Sequence, residues 1–381
     1  MEVANRKNDT EEAFAHGDIL ESILSRVPLI HLLPACSVSR SWNRAVFFSL
    51  RRRRIKPWLL LYPYIRTPPH AAVALAYDPR SNVWIHIRTA PPLDKVSAVR
   101  SSHSTLLYAL SPSGFSFSVD PLHLAWRHVV GPRFWRIVPI VAVVGRFIVV
   151  AGGVCDFEDD VLAVELLDTD TDVWETCESM PEMLKDSAAS LWLSVAASTD
   201  KMYLTEKRSG MAYSFDPKTR SWTELSDLRP VREDGRCDVY LRVIGFAGDR
   251  LIMAGITGEE ENPTGIELWE VADELRGVFK SIGSMPKECL DKLRGEDHSS
   301  SPLTSIALNV AGEMVYIHSN NQTAEAGEFV AAEMAEGKLC NWTTFCNANA
   351  VGKRFVAACS DVRFRDLRRA LSENCVFSLV P

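Results

Sequence analysis

One short apolar stripe near the N-terminus, six aromatic residues that each follow an acid by six positions, and apolar runs just upstream of those acids together predict the fold class. It is a small all-α module of three helices followed by an all-β propeller of six blades. The module is expected over residues 16–50 and the propeller over 58–381, with a disordered N-terminus at 1–15 and a basic linker at 51–57. At 381 residues, two unequal parts suit the length better than one compact domain.

Composition narrows the classes further. Hydrophobic residues make up 46% and charged residues 24%, ordinary values for a chain that can build a core. The formal net charge of -7 argues against a general nucleic-acid binder. Residues 1–15 lack the apolar core of a secretory signal, and no segment reaches the ~18 apolar residues of a membrane span. Nine scattered cysteines without a C-x-x-C pair are expected to be free thiols of a reducing compartment. The expected location is the cytosol or the nucleus, with no membrane or nucleic-acid partner.

In the module, Ile19, Leu20, Ile23, Leu24 and Val27 recur at helical spacing, and Asp18 followed by Glu21 has the spacing of a capping box. Val27 precedes Pro28, which stops the helix. Pro34 suits the first turn of a second short helix, and Val38, Trp42, Ala45 and Val46 share one face of a third. Three helices in so short a stretch bury little surface, and units below ~40 residues usually need a metal, disulfides or a partner. Metal ligands and disulfides are missing here, so a partner is the physical expectation.

These residues resemble an F-box, whose pattern is a leucine- and isoleucine-rich first helix, an Arg-Leu/Val-Pro stop, a short second helix and a Val-x-x-x-Trp third helix. Leu20, Ile23, Leu24, Arg26, Val27, Pro28, Leu32, Leu33, Val38 and Trp42 carry the match. The family opens with Leu-Pro where this chain has His16-Gly17.

The repeats follow. The acid and aromatic pairs are Asp78 with Trp84, Asp120 with Trp126, Asp168 with Trp174, Asp216 with Trp222, Asp273 with Phe279, and Glu336 with Trp342. The aromatics are separated by 42, 48, 48, 57 and 63 residues. In YDPRSNVW, VDPLHLAW and FDPKTRSW the acid precedes proline, a turn-starting pair whose carboxylate can cap the next amides. Each segment therefore reads as strand, turn, strand, with the aromatic packed between neighbouring blades. Upstream lie apolar strands such as RFIVVA, LIMA, MVYI, MYL and LLYAL. Units of this length with about four short strands mark propeller blades. The third repeat, with Gly152-Gly153, resembles a kelch motif closely, and the others resemble degenerate kelch units.

The first repeat begins too close to its turn to supply four strands. FVAAC at 355–359 and CVFSLVP at 375–381, separated by a helix around Asp366 to Leu371, are candidates for completing it, so a C-terminal strand is expected to close the first blade. Arg51 to Arg54 with Lys56 reads as a solvated hinge whose cations complement the dipole of the preceding helix, or as a phosphate-binding or nuclear-import patch. Glu259 to Glu261 with Asn262-Pro263 reads as an exposed loop insertion in the fifth repeat that could carry recognition.

Nucleotide-binding glycine loops, a Walker loop, a nucleophile elbow and H-E-x-x-H are all missing from the sequence. The pairs His123/His128 and Cys340/Cys346 are read as incidental. As a whole, the chain resembles plant-type F-box/kelch-repeat proteins over nearly its full length. The resemblance implies a substrate-receptor subunit of a Skp-cullin-F-box ubiquitin ligase. Leu20, Ile23, Leu24, Val27, Pro28, Leu32, Val38 and Trp42 would dock on the Skp adaptor, and the propeller would hold a protein target. It implies no catalytic residue, no cofactor and no metal in this chain. Two alternatives stay open: a kelch scaffold that works without the ligase, and a propeller enzyme with groups gathered at the central channel.

Overall fold

The computed structural model describes residues 18–51, 56–63, 72–89, 99–122, 125–154, 160–231, 235, 237–295, 303–319, 327–346 and 355–380. A helical module sits on one face of a six-bladed β-propeller. The module contains α1 (residues 18–24), a 3-10 turn at Leu29–His31, α2 (Leu32–Ala35) and α3 (Arg40–Arg51). Ser39 starts α3: its hydroxyl accepts the Trp42 N–H at 3.2 Å.

Every blade is antiparallel, and most are four-stranded. Blade 3 shows the plan, with Ile140–Val144 innermost, then Phe147–Ala151, Val164–Asp168 and Val173–Thr176 outermost. The acid-to-aromatic spacing of the sequence is a four-residue loop between the outer two strands. Asp78, Asp168, Asp216 and Asp273 each accept the N–H two residues on, at 3.0, 2.9, 2.8 and 3.1 Å. Four residues after each acid the backbone turns left-handed, at Asn82, Asp172, Arg220 and Gly277, with φ of 51, 58, 61 and 66°. The chain then re-enters the sheet, and Trp84, Trp174 and Trp222 pair across from Tyr77, Leu167 and Phe215. In blade 5 a bulge intervenes, and Phe279 pairs with Val271.

Each indole reaches the blade before its own. Trp84 Nε1 donates to Cys346 O at 2.8 Å, Trp174 to Val130 O at 2.8 Å, and Trp222 to Glu178 O at 3.2 Å. Trp126 packs on the core of blade 1, although its buried N–H meets no acceptor among the described residues. Phe279 and Trp342 pack on the cores that join blades 4 to 5 and 5 to 6. Asp120 lies two residues past the matching strand of blade 2, Gly114–Ser118, and its N–H donates to Ser118 Oγ.

Three sequence expectations change. Glu336 does not cap a four-residue loop: with Gly337 it forms a two-residue hairpin turn, both at positive φ, so its distance from Trp342 arises from different geometry. Glu259 to Glu261 is not a loose loop insertion. The strands Arg250–Glu259 and Asn262–Asp273 run on and pair up to Glu259 with Asn262, making a long hairpin whose tip pairs Glu260 with Arg208 at 2.6 Å. The linker is not a free hinge at its end, because Lys56 pairs with Glu333 at 2.8 Å and Pro57 O accepts the Tyr316 hydroxyl. Arg52 to Arg54, His16-Gly17 and His123 lie outside the described residues. Cys340 and Cys346 lie on one strand about 20 Å apart, too far to share a metal.

The tail supplies both edges of blade 1. Phe355–Ser360 pairs with Trp58–Pro63 as the innermost strand, and Val376–Leu379 pairs with Val83–Thr89 as an outer fifth strand. The N-terminal and C-terminal ends of the propeller thus share one sheet, and the ring has no open edge there. Between these strands lies α5 (Phe364–Ser372), started by the Asp366 carboxylate accepting the Arg363 N–H at 2.8 Å. Helix α4 (Lys287–Arg294) packs on blades 5 and 6. In blade 2 the inner position is taken by an irregular segment whose Arg100 bridges to Tyr108.

Polar side chains lock the inner strands. The N–H groups of Val141, Val143, Ile244 and Val310 donate to Ser102 Oγ, His103 Nε2, Ser194 Oγ and Ser104 Oγ of other blades, at 3.1, 3.2, 2.9 and 2.8 Å. Blade 3 is tied by a buried ion pair, Arg136 to Glu165 at 2.5 Å. Glu165 also accepts the amides of Arg133 and Phe134, and Arg136 donates to Ala163 O. This satisfaction of both charges makes their burial tolerable. Gly152, at φ 62°, lies so close to Ala188 O that no side chain fits, and Gly153 donates its N–H to the same oxygen at 2.7 Å.

Candidate protein-docking surfaces

Two opposed faces of the molecule offer surfaces. On the first, α1 divides its apolar residues between two sides. Leu20, Leu24 and Val27 turn inward, while Ile19 and Ile23, one turn apart, point out. The module's core joins Leu24, Leu32, Ala35, Ala45 and Val46 with a residue of the propeller tail, Phe364 of α5. Phe364 meets Phe47 edge to face at 6.1 Å. Ile30 enters the core of blade 1 beside Trp58 and Leu367, and Arg80 of the first blade's outer loop donates to Ser25 O. The module is therefore closed on its inner side by the chain itself. Ile19, Ile23, Val38 and Phe48 are exposed, and Phe47 stays partly exposed beside Phe364.

The opposite face is where the second and third strands of each blade are joined. There the lead-in to blade 4 meets the start of blade 3: Ser190 N–H donates to Val138 O at 3.0 Å, and Ile137 pairs with Val154. Ile137, Val154, Leu191 and Trp192 are all more than half-exposed or at half exposure, an apolar patch tied together by main-chain bonds. Lys207 borders it, its N–H donating to Trp192 O and its Nζ to Leu191 O at 2.8 Å. Burial pushes the Lys207 ammonium down to about 8. Beside it lies an axial cavity of about 260 Å³, lined from five blades and including His103, Asn309 and His318. Burial pushes both histidines down to about 4, so they are neutral near pH 7. His318 donates from Nδ1 to Ser319 O and meets Asn309 Nδ2 at Nε2, so its nitrogens serve the fold.

Residues 18–49 match the F-box domain. Over 380 residues the chain is 57% identical to an F-box/kelch-repeat protein of Arabidopsis thaliana, covering 96% of this chain and 95% of that protein. The chain belongs to the F-box/kelch-repeat family. Within this F-box/kelch-repeat chain, the eight residues expected to dock on the adaptor separate by position. Ile23 and Val38 are exposed at 56% and 62%, and Leu20, Val27, Pro28 and Trp42 are half-buried. Leu24 at 3% and Leu32 at 0% form the module's own core and cannot touch a partner without unfolding. Sequence reasoning passed over Phe47 and Phe48, because a helical stripe does not say which flank a neighbouring helix covers. It also passed over the channel polar set, whose one visible signal is the polar run Arg100 to Ser104 where other blades carry an apolar inner strand.

Proposed function

We propose that this chain is the substrate receptor of a Skp-cullin-F-box ubiquitin ligase, docking on the Skp adaptor through the outer side of its F-box and holding a protein target on the far face of the propeller. One observation carries this reading: Ile23 and Val38 remain exposed on a module whose inner side is already closed by α5, so their apolar area has no use within the chain. The target would meet the patch of Ile137, Val154, Leu191 and Trp192 on the face opposite the module. The contribution to ubiquitin transfer is then proximity, with the chemistry performed by other subunits. Among the described residues no helix is long and apolar enough to cross a membrane, and no cluster of three metal-ligating side chains occurs.

The test is co-expression with a Skp adaptor. Wild-type protein should copurify with it, and Ile23→Asp combined with Val38→Asp should abolish copurification while leaving the circular dichroism spectrum unchanged, since both side chains face solvent. Capture of the adaptor by the double variant at wild-type level overturns the docking surface. Failure of the wild-type chain to hold the adaptor favours the ligase-independent scaffold.

A further inference from the structure

Each blade ends in an outermost strand, and that strand has one side without a strand partner among the described residues. Such an edge is a template for another chain, and a charged side chain on it is a common guard. Five of the six carry one: Arg127, Glu175, Glu224, Lys280 and Lys338. The sixth, Val376–Leu379 of blade 1, reads VFSL and has none. Val376 is 57% exposed, Leu379 is 39% exposed, and Ser378 faces solvent. The register settles which of its main-chain groups are free. The Val380 N–H donates to Trp84 O at 2.9 Å, and the pairing runs on through Leu379 with Ile85, Ser378 with His86 and Phe377 with Ile87. Antiparallel strands bond at alternate residues, so Val376, Ser378 and Val380 bond inward to the blade. The N–H and C=O groups of Phe377 and Leu379 therefore point outward.

We infer that this edge binds a second copy of the chain through the same strand, antiparallel, with Ser378 on the two-fold axis. In that register Phe377 lies across from Leu379 of the other copy, and the two such pairs exchange four main-chain hydrogen bonds. The groups it joins are the ones left free on both copies. A slip of one residue would set outward groups against inward ones and lose all four. No like charges meet, because residues 375–380 carry none. Phe377 packs on the core of blade 1, and Leu379 lies on the same face of the strand, so pairing lays each Leu379 beside the Phe377 of the other copy. This self-complementarity selects a second copy over an unrelated extended peptide, which would need a charge or pocket on the edge to be chosen. The contact is short and falls at the low end of interface sizes, so the dissociation constant is expected on the order of 10 to 100 µM. The inference does not rest on the ligase reading, since the strand lies on the outer rim of blade 1 and the two docking surfaces lie on the faces.

The experiment is sedimentation equilibrium on the full chain from about 1 to about 200 µM. Reducing agent is present throughout, since Cys346 is exposed and free. The wild-type mass should climb from the 42.5 kDa of one chain towards twice that value. Ser378→Lys sets two ammonium groups opposite each other at the axis, where the side chains are closest, and should weaken association at least ~10-fold with an unchanged thermal melt. Leu379→Pro removes an outward N–H while sparing the bonds to the blade, and should weaken it similarly. Ser372→Lys, exposed on α5 and off the edge, adds the same charge and should associate like wild type. A wild-type mass of one chain at every concentration overturns the inference. Association that both edge variants leave untouched places the contact elsewhere and overturns the edge, and equal weakening by Ser372→Lys shows a general charge effect and overturns it too.

Discussion

Phe364→Ala tests whether the F-box is welded to the propeller or merely tethered to it. Phe364 lies on the tail helix yet belongs to the F-box core, 8% exposed, with its ring edge to face against Phe47. An aromatic side chain buries about 150–250 Å², so at about 25 cal/mol per Å² its removal forfeits roughly 4 to 6 kcal/mol before relaxation. Measured Phe-to-Ala changes in cores fall at about 3–5 kcal/mol, and this site, packed from both domains, should sit within that span. Thermal unfolding followed by circular dichroism, with limited proteolysis in the linker, reads the effect. The wild-type module should melt with the propeller and resist cleavage. The variant should release the module in a separate, earlier transition with cleavage between residues 51 and 57. Added Skp adaptor should restore part of the lost stability through binding. An unchanged midpoint and unchanged protection would refute the shared core.

Other perturbations probe the propeller. His318 is 5% exposed, and burial holds it at about 4 against an ordinary 6.5, so the unfolded chain takes up a proton before the folded one does. Its contribution is complete above about pH 6.5 and is lost as pH falls towards about 4, costing about 3 kcal/mol; urea midpoints at the two ends should differ, and His318→Gln should flatten the difference. Glu165→Gln strands the buried Arg136 charge and should cost about 3–5 kcal/mol in chemical denaturation, whereas an exposed control, Lys218→Gln, should change it by less than about 1 kcal/mol. Gly152→Ala forces a side chain into the Ala188 carbonyl at a left-handed backbone position, so the melting temperature should drop while the outer strands keep their spectrum. Deleting residues 374–381 removes only the fifth strand of blade 1 and should leave soluble protein with a lowered melt, but deletion from 355 opens the ring and should give aggregated chain. Equal behaviour of the two truncations would contradict the assignment of the inner strand.

The blades could be recognised from residues because their marker is local. An acid capping the amide two positions on, a left-handed residue two further, and an aromatic after that are bonds made within seven residues, as Asp78 to Trp84 shows. Even that signal can mislead, since Glu336 matches the spacing while standing in a two-residue turn. The amphipathic stripe of α1 and the Val27-Pro28 stop were equally legible, being properties of consecutive side chains.

The order of parts, a helical module of the F-box kind and then six kelch-like sheets, thus belongs to the sequence alone. Tertiary structure decided which apolar residues stay outside, because Phe364 arrives from more than three hundred residues away to cover one side of the module. It likewise decided that Lys207, His103 and His318 from three blades line one cavity. Chain neighbours set turns and helix faces through short-range bonds, but ring closure brings distant strands to a common axis, and no periodicity along the chain encodes which side chains converge there.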